Sequence, residues 1–247
     1  MDRSIYVAMS GAKELFLAQE GHNNNLANMN TQGFLADRFQ QRSMPVFGDV
    51  LATRVQAMTE TPAIDLAPGP MTPTGRDLDV AMNGRGWISV LGTDGGESFV
   101  RTASLQITPA GQLVTESGRP VLGNFGPIAL PPFQRISVAP DGTISLVPQG
   151  QTPEVEQVVD RIKMVDPPAN QLRKATDGTV QTQNRLLQPA DAGLRLTPMV
   201  LQGSNVSGVG ELVSLLEASR RYEMHIRFLS ESRDNEGAGT SLLRLGG

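Results

Sequence analysis

Residues 99–123 read FVRTASLQITPAGQLVTESGRPVLG, and this stretch decides the fold of the middle of the chain. Its first half alternates in polarity, with every second side chain on one side: Phe99, Arg101, Ala103, Leu105 and Ile107. A period of two is typical of a β-strand. The pair Ser117-Gly118 then predicts a tight turn that joins residues 112–116 to residues 120–122. The stretch therefore predicts consecutive antiparallel strands.

The same period recurs on both sides of this stretch. Leu78, Val80 and Met82 alternate with polar or small residues before it. After it, two short alternating runs, 136–138 and 144–146, flank Pro140-Asp141-Gly142, which is a strong turn signal. We therefore predict a mainly antiparallel β domain with many turns.

The two ends of the chain have a different character. All 17 prolines lie between Pro45 and Pro198. Because proline costs about 3 kcal/mol in the interior of a helix, this distribution places the candidate helices at the ends. We predict one helix from about Ser4 to about Ala27, followed by a turn at residues 31–33. A second helix is expected after Ser207, its candidate N-cap, and we expect Gly237 and Gly239 to weaken it.

Both predicted helices carry apolar residues at steps of three and four, which is the spacing of a coiled-coil seam. The N-terminal seam comprises Ile5, Met9, Ala12 and Phe16, with Leu26 in the same register. The C-terminal seam comprises Leu212, Leu215, Tyr222, Ile226 and Leu229. Such stripes pack on the β domain of the same chain, on each other or on neighbouring subunits. We predict that the two helices pair and form an assembly interface.

The predicted fold is thus a mainly β middle domain plus a discontinuous helical domain made of paired N- and C-terminal helices. We assign residues 1–40 and 203–247 to the terminal helical coiled-coil domain, and residues 41–202 to a β-rich outer domain. Five asparagines lie between residues 23 and 30. They are interpreted either as a solvated loop or as polar residues that fix the register of the helices.

Composition excludes several classes of protein. Hydrophobic residues make up 39% and charged residues 19% of the 247 residues, as in folded proteins, and the net charge of −4 gives no general basic field for nucleic acid. The chain has no cysteine, which excludes disulfides and thiolate metal sites. No apolar run reaches the roughly 20 residues that span a bilayer. The N-terminus lacks the apolar core of a cleaved secretory signal.

The sequence offers no catalytic constellation. His22 and His225 are the only histidines, and neither has a partner at metal-ligand spacing. We expect His22 to lie on a helix surface. Asp77 and Asp79 share one face of a predicted strand, and we interpret them as solvated carboxylates outside the sheet. We therefore expect no enzyme activity, no cofactor and no metal.

Four motifs resemble the signature of flagellar rod and hook proteins. The first comprises Ser10-Gly11-Ala12, Asn24-Asn25-Leu26-Ala27-Asn28, Thr31 and Gly33-Phe34. The others are DLDVAMNGRGWISV at 77–90, the stretch 99–123, and SNVSGVGELVSLLEASRRYE at 204–223, which begins with Ser204, Asn205 and Val206. The four occur in the family's order. Ala103, where the family often has glycine, and Ala36-Asp37, where a basic residue is frequent, depart from the pattern.

The resemblance implies a structural subunit of the bacterial flagellar basal-body rod, the axial part that crosses the periplasm. Within the family, both ends of the chain are more similar to the proximal rod type than to the distal one. The implied partners are other copies of the chain, neighbouring rod proteins and the flagellar type III export apparatus. A distal rod protein, or a non-flagellar adaptor with helical arms, is the alternative. Assembly into filaments rather than a discrete complex distinguishes the adaptor.

Overall fold

The computed structural model describes residues 2–46, 54–150, 155–175 and 177–245. The chain divides into two compact units. The first contains residues 1–29, 36–65 and 206–247, and the second contains residues 30–35 and 66–205. The predicted division placed residues 41–65 with the β domain, whereas they belong to the first unit, together with both ends of the chain.

The first unit consists of two helices and a hairpin. Helix α1 covers Asp2–Ala27, strands β1 and β2 cover Asp37–Val46 and Arg54–Ile64, and helix α2 covers Gly208–Leu245. The predicted N-terminal helix is confirmed to within two residues at its start. Ser207 accepts a hydrogen bond from the Gly210 amide through its hydroxyl (3.3 Å), as expected of an N-cap. In the described residues, neither helix is long and apolar enough to cross a membrane.

The C-terminal glycines do not interrupt α2. The helix continues through Gly237 and Gly239 to Leu245, and a local weakening of the helix at these glycines stays a prediction. A glycine inside a helix costs only about 1 kcal/mol relative to alanine. Good helix formers on both sides, including Glu231 before the glycines and Leu242 after them, offset this cost.

The second unit holds the remaining strands, which confirms a mainly β middle. Their bounds in chain order are β3 Met71–Pro73, β4 Asp79–Met82, β5 Trp87–Leu91, β6 Glu97–Val100, β7 Thr102–Ile107, β8 Leu113–Thr115, β9 Phe133–Val138, β10 Thr143–Pro148, β11 Gln157–Arg161, β12 Met164–Val165, β13 Leu172–Lys174, β14 Val180–Thr182, β15 Leu196–Pro198 and β16 Val200–Gln202. A short 3-10 helix covers Ala169–Gln171. Every strand pairing in the described residues is antiparallel.

These strands form four sheets in the second unit. A five-stranded sheet has the order β12-β5-β6-β14-β13, and a four-stranded sheet has the order β15-β4-β7-β8. Three strands form the order β11-β10-β9, and β16 pairs with β3. The core between them is aliphatic, and its largest fully buried members include Met82, Ile88, Leu105, Leu113, Ile128, Ile144, Leu146, Ile162, Met164 and Leu196.

The single strand expected over residues 99–107 is in fact two strands. The backbone bends at Arg101, and β6 joins the five-stranded sheet while β7 joins the four-stranded sheet. Both faces are therefore covered: Phe99 is fully buried, and so is most of Thr102 and Ser104. Alternation in polarity alone does not reveal that a chain changes from one sheet to another.

Both predicted turns are confirmed. Ile144 pairs with Val138, and Leu146 with Ile136, across the turn at Gly142, which has φ 86°. At the other turn, the Thr115 amide donates to the Arg119 carbonyl at 2.8 Å.

Asp79 is not a solvated carboxylate outside the sheet, and that interpretation is corrected. It is the first residue of β4 and fully buried, and it forms an ion pair with the Arg76 guanidinium, whose Nε lies 3.8 Å from Oδ1. All four residues of β4 are buried, so both faces of the strand are covered, and β16 contacts it. Asp77 precedes the strand and is half-buried.

Gly111 provides a test of the turn that follows β7. Its φ is 79°, and a Cβ placed there would lie 2.6 Å from the Leu130 carbonyl oxygen. We expect Gly111→Ala to lower the free energy of unfolding by about 3 kcal/mol, because left-handed strain adds to a clash with backbone. Gly118→Ala is the matched control, since its φ of 77° is the same but nothing lies within 4 Å. Gly118→Ala should lower the free energy of unfolding by about 1 kcal/mol, measured by chemical denaturation. Equal losses of stability in the two variants would contradict the role of the Leu130 clash.

Candidate assembly surface on the terminal helices

A polar junction joins α1, α2 and β1 within the first unit. The Glu211 carboxylate lies 2.6 Å from His22 Nδ1, and its other oxygen accepts a hydrogen bond from Asn25 Nδ2 at 3.0 Å. Asn25 is fully buried. His22 is half-buried, so the expectation of a surface histidine is corrected. Periodicity did not indicate this junction, because its members are polar.

The apolar contact between the helices is built mostly from small residues. Among the described side chains, the buried hydrophobic residues are Ala12, Leu15 and Ala18 on α1 and Ala218 on α2. A Cβ placed on Gly11 would lie 2.9 Å from His225 Cε1. The absence of a side chain at Gly11 therefore leaves room for the His225 ring, and α1 and α2 run antiparallel.

The predicted N-terminal seam is not the face that α1 buries against α2. Met9 and Phe16 are 56% and 53% exposed, and only Ala12 is buried. Successive residues of a helix are about 100° apart around its axis. The predicted seam is therefore rotated by about 100° from the row of buried residues that contains Leu15 and Ala18. The side chain of Ile5 lies outside the described residues, and Leu26 is half-buried.

The predicted C-terminal seam divides in the same way. Leu215 and Leu229 are half-buried, whereas Leu212, Tyr222 and Ile226 are exposed. Further large apolar side chains on α2 that the seam did not include are also exposed: Val209, Val213, Leu216, Met224 and Phe228. At about 100° per residue, the exposed set covers roughly two thirds of the circumference of α2. The sequence did indicate these residues, because large apolar residues occur on more than one face of this helix.

The motif residues from the two ends of the sequence meet in the second unit. The Gly33 amide donates to the Gln202 carbonyl at 2.8 Å, and the Asn205 amide donates to the Phe34 carbonyl at 3.3 Å. Lys174 Nζ lies 3.7 Å from the centre of the Phe34 ring and donates to the Leu35 carbonyl at 2.8 Å. Gly33 has φ 68°, a conformation that glycine adopts without strain.

The other motif residues have local roles. Asn28 Nδ2 donates to the Asn24 carbonyl at 2.9 Å at the end of α1, and the Phe34 amide donates to the Thr31 carbonyl at 3.3 Å. The motif also includes Ser204, which is buried, and Val206, which is half-buried. In the asparagine cluster only Asn25 is buried, and the register role of the cluster stays a prediction.

The two histidines of the chain do not come together in the structure. His22 lies near one end of the contact between α1 and α2, and His225 lies near the other end, beside Gly11. At 1.5 Å per residue, Gly11 and His22 are about 16 Å apart along α1. Within the described residues, no group of three or more His, Cys, Asp or Glu is placed to hold a metal ion. The arrangement presents an apolar surface on a helical pair.

Comparison with known proteins decides the family. The family described as "Flagellar hook protein FlgE/F/G D1 domain" matches residues 81–146, and "Flagellar basal body rod FlgEFG protein C-terminal" matches residues 199–242. The flagellar basal-body rod protein FlgF of Escherichia coli K12 is 38% identical, over 99% of this chain and 100% of its own length. This chain belongs to the flagellar basal-body rod protein family.

Other relatives place the chain within the rod protein family. FlgF of Salmonella typhimurium LT2 is 37% identical over 99% of this chain and 100% of its own length. The rod protein FlgG of Bacillus subtilis 168 is 28% identical over 94% of this chain and 96% of its own length. The chain is a flagellar rod protein most similar to FlgF, as its ends predicted. It is a structural protein of the basal-body rod and not an enzyme.

Proposed function

We propose that the chain is a subunit of the proximal rod and assembles through its terminal helices into the axial drive shaft of the flagellum. The paired helices act as one discontinuous helical domain, while residues of the β-rich unit form the outer layer. The partners are other copies of the chain and neighbouring rod proteins. Similarity to FlgF over the full length supports the proximal position.

One observation carries the proposal. Leu212, Leu216, Phe228 and further large apolar side chains of α2 are each at least 38% exposed. Exposing an apolar side chain that could be buried forgoes about 1.5–3 kcal/mol. A helix that is apolar around most of its circumference is expected to be surrounded by other elements. Neighbouring subunits on more than one side of α2 satisfy this requirement.

The pattern of contacts also favours a repeated assembly. The two helices pack together through Ala18 and Ala218, yet both still have exposed apolar side chains. Phe16 on α1 and Leu212 on α2 are examples. Contacts that each subunit repeats with the next, without closing a ring, generate a helical filament. Stacking of many copies stabilises each helix by mass action.

The proposal includes export through the flagellar type III apparatus, which the resemblance to rod proteins implies. Such export requires ends that unfold readily. The contact between α1 and α2 suits this requirement, since the buried residues Ala12, Ala18 and Ala218 are small and each contributes little buried area.

Deletion of residues 1–20 tests the role of α1. We expect the β-rich unit to remain folded, as reported by the fluorescence of Trp87, the only tryptophan, which lies buried in β5. Incorporation into rods in a strain that lacks the native subunit should fall below detection in purified basal bodies. Normal incorporation of the shortened chain would contradict assembly through α1.

A further inference from the structure

The Glu211 carboxylate on α2 is shared by two side chains of α1. Oε2 lies 2.6 Å from His22 Nδ1, and Oε1 accepts from Asn25 Nδ2 at 3.0 Å. The His22 and Glu211 side chains are mostly shielded from solvent, and Asn25 is completely buried. A carboxylate that accepts hydrogen bonds in such a place makes stronger bonds than a neutral acceptor.

The same Asn25 amide binds the first residue of β1. Asn25 Nδ2 donates to the Asp37 carbonyl at 3.0 Å, and Asn25 Oδ1 accepts from the Asp37 amide at 3.0 Å. The side chain thus makes the paired bonds that a neighbouring strand would make. The two amide hydrogens of Nδ2 serve one acceptor each, Asp37 on the hairpin and Glu211 on α2.

Glu211 and Asp37 together fix which way the Asn25 amide faces. An ionised carboxylate only accepts hydrogen bonds, so the NH₂ group of Asn25 must point to Glu211. In the flipped orientation, Oδ1 would face the carboxylate and the NH₂ group would face the Asp37 amide. Both bonds to Asp37 would then be lost. Without Glu211, the buried amide loses this orienting acceptor.

A second contact ties β1 to the same place. The Phe39 ring lies edge-on to the His22 ring, with centroids 5.4 Å apart. The Phe39 ring also occupies the space where a side chain on Gly21 would project. The hairpin therefore rests on the two α1 residues, His22 and Asn25, that bind Glu211.

We propose that Glu211 couples the docking of α2 to the seating of the β1–β2 hairpin on α1. When α2 is docked, Glu211 orients Asn25 and His22, and the hairpin closes on them. When α2 leaves, the Asn25 amide loses one of the three bonds that hold it, and the start of β1 is held less firmly. This coupling is a property of one chain and does not depend on how subunits assemble.

Hydrogen exchange of the Asp37 amide in the full-length protein, followed by NMR, tests this coupling. We expect Glu211→Ala to accelerate that exchange about tenfold, because the Asn25 amide then keeps only its two bonds to Asp37 and loses the bond that anchors it to α2. Asn25 accepts the Asp37 amide proton and donates to Glu211, so it is the direct link between residue 211 and the amide that is measured. Glu217→Ala is the matched control, since Glu217 lies on the same helix with an exposed side chain that pairs with Arg221 at 3.6 Å. It should leave the exchange of Asp37 unchanged.

Two further variants separate coupling from general loss of structure. Glu211→Gln keeps a carbonyl oxygen for Asn25 and should hold the exchange within about threefold of the unmodified chain. In an Asn25→Ala background, Glu211→Ala should add less than about twofold, because the connection is already broken. Unchanged exchange in Glu211→Ala, or a full tenfold effect that persists in the Asn25→Ala background, would overturn the proposal.

Discussion

Phe16→Asp is expected to abolish incorporation into rods while leaving the helical unit folded. Phe16 is more than half exposed and does not lie on the face of α1 that packs on α2. Placing a carboxylate at an apolar interface loses roughly 2 kcal/mol of burial and adds the cost of removing a charge from water. The association constant of each contact should fall at least about hundredfold, and repetition along a filament multiplies the loss.

Measurement of this effect needs a fold control and a position control. Motility in soft agar and the rod content of purified basal bodies report assembly, while circular dichroism reports the helices. Lys13→Asp provides the position control, because Lys13 is an exposed polar residue one turn away on α1. It should retain assembly. If Phe16→Asp assembled normally, the exposed face of α1 would not be an interface.

Arg101→Met should destabilise the β-rich unit by about 3 kcal/mol. Arg101 lies between β6 and β7 in the chain and is buried, and its guanidinium reaches the loop between β4 and β5, where Nη1 donates to the Gly86 carbonyl at 2.8 Å and Nη2 to the Gly84 carbonyl at 2.5 Å. It also lies 5.4 Å from the centre of the Trp87 ring. Methionine fills much of the volume but leaves both carbonyls without this donor.

We expect Arg101 to stabilise the β-rich unit through both the charge and the planar shape of its guanidinium. Burial lowers the pKa of Arg101 and the nearby Asp166 raises it, but arginine stays charged at any pH at which the protein folds. Arg101→Lys should therefore also lose stability, because one ammonium does not reach both carbonyls with the geometry of a planar fork.

Urea denaturation followed by Trp87 fluorescence measures the loss. Arg85→Met is the matched control, since the Arg85 side chain is 89% exposed and its ion pair with Asp166 spans 3.7 Å. An exposed pair of this kind contributes less than about 0.5 kcal/mol. Similar losses at residues 85 and 101 would contradict the role given to the buried guanidinium.

The helices and turns were predictable because their signals are local. Absence of proline marked α1 and α2, and a turn signal marked Gly142 between β9 and β10. The bend at Arg101 was not predictable, because alternation has the same period whether a strand continues or enters a second sheet. The burial of Asp79 was missed for a related reason: it depends on β16, which lies about 120 residues further along the chain.

The sequence predicted an apolar stripe on each helix, but not which side of each helix packs against the other. The apolar residues that define a stripe do not say which partner takes which part of it. The contact between α1 and α2 uses Gly11, Ala12 and Ala18, which are too small to dominate an apolar pattern, and the polar residues Asn25 and Glu211. The larger residues, such as Met9 and Phe16, are left for other contacts. Periodicity therefore located the exposed face of α1 rather than its buried face.

The hydrogen bonds from Gly33 to Gln202 and from Asn205 to Phe34 hold residues 30–35 against the end of the β-rich unit. Asn205 Nδ2 also donates to the Ala67 carbonyl at 3.0 Å, so the segment of residues 66–205 begins and ends at one place. A segment that is entered and left at one point is topologically an insertion. The residues between 67 and 202 can therefore lengthen, shorten or be exchanged for another β domain without changing the distance between the two attachment points.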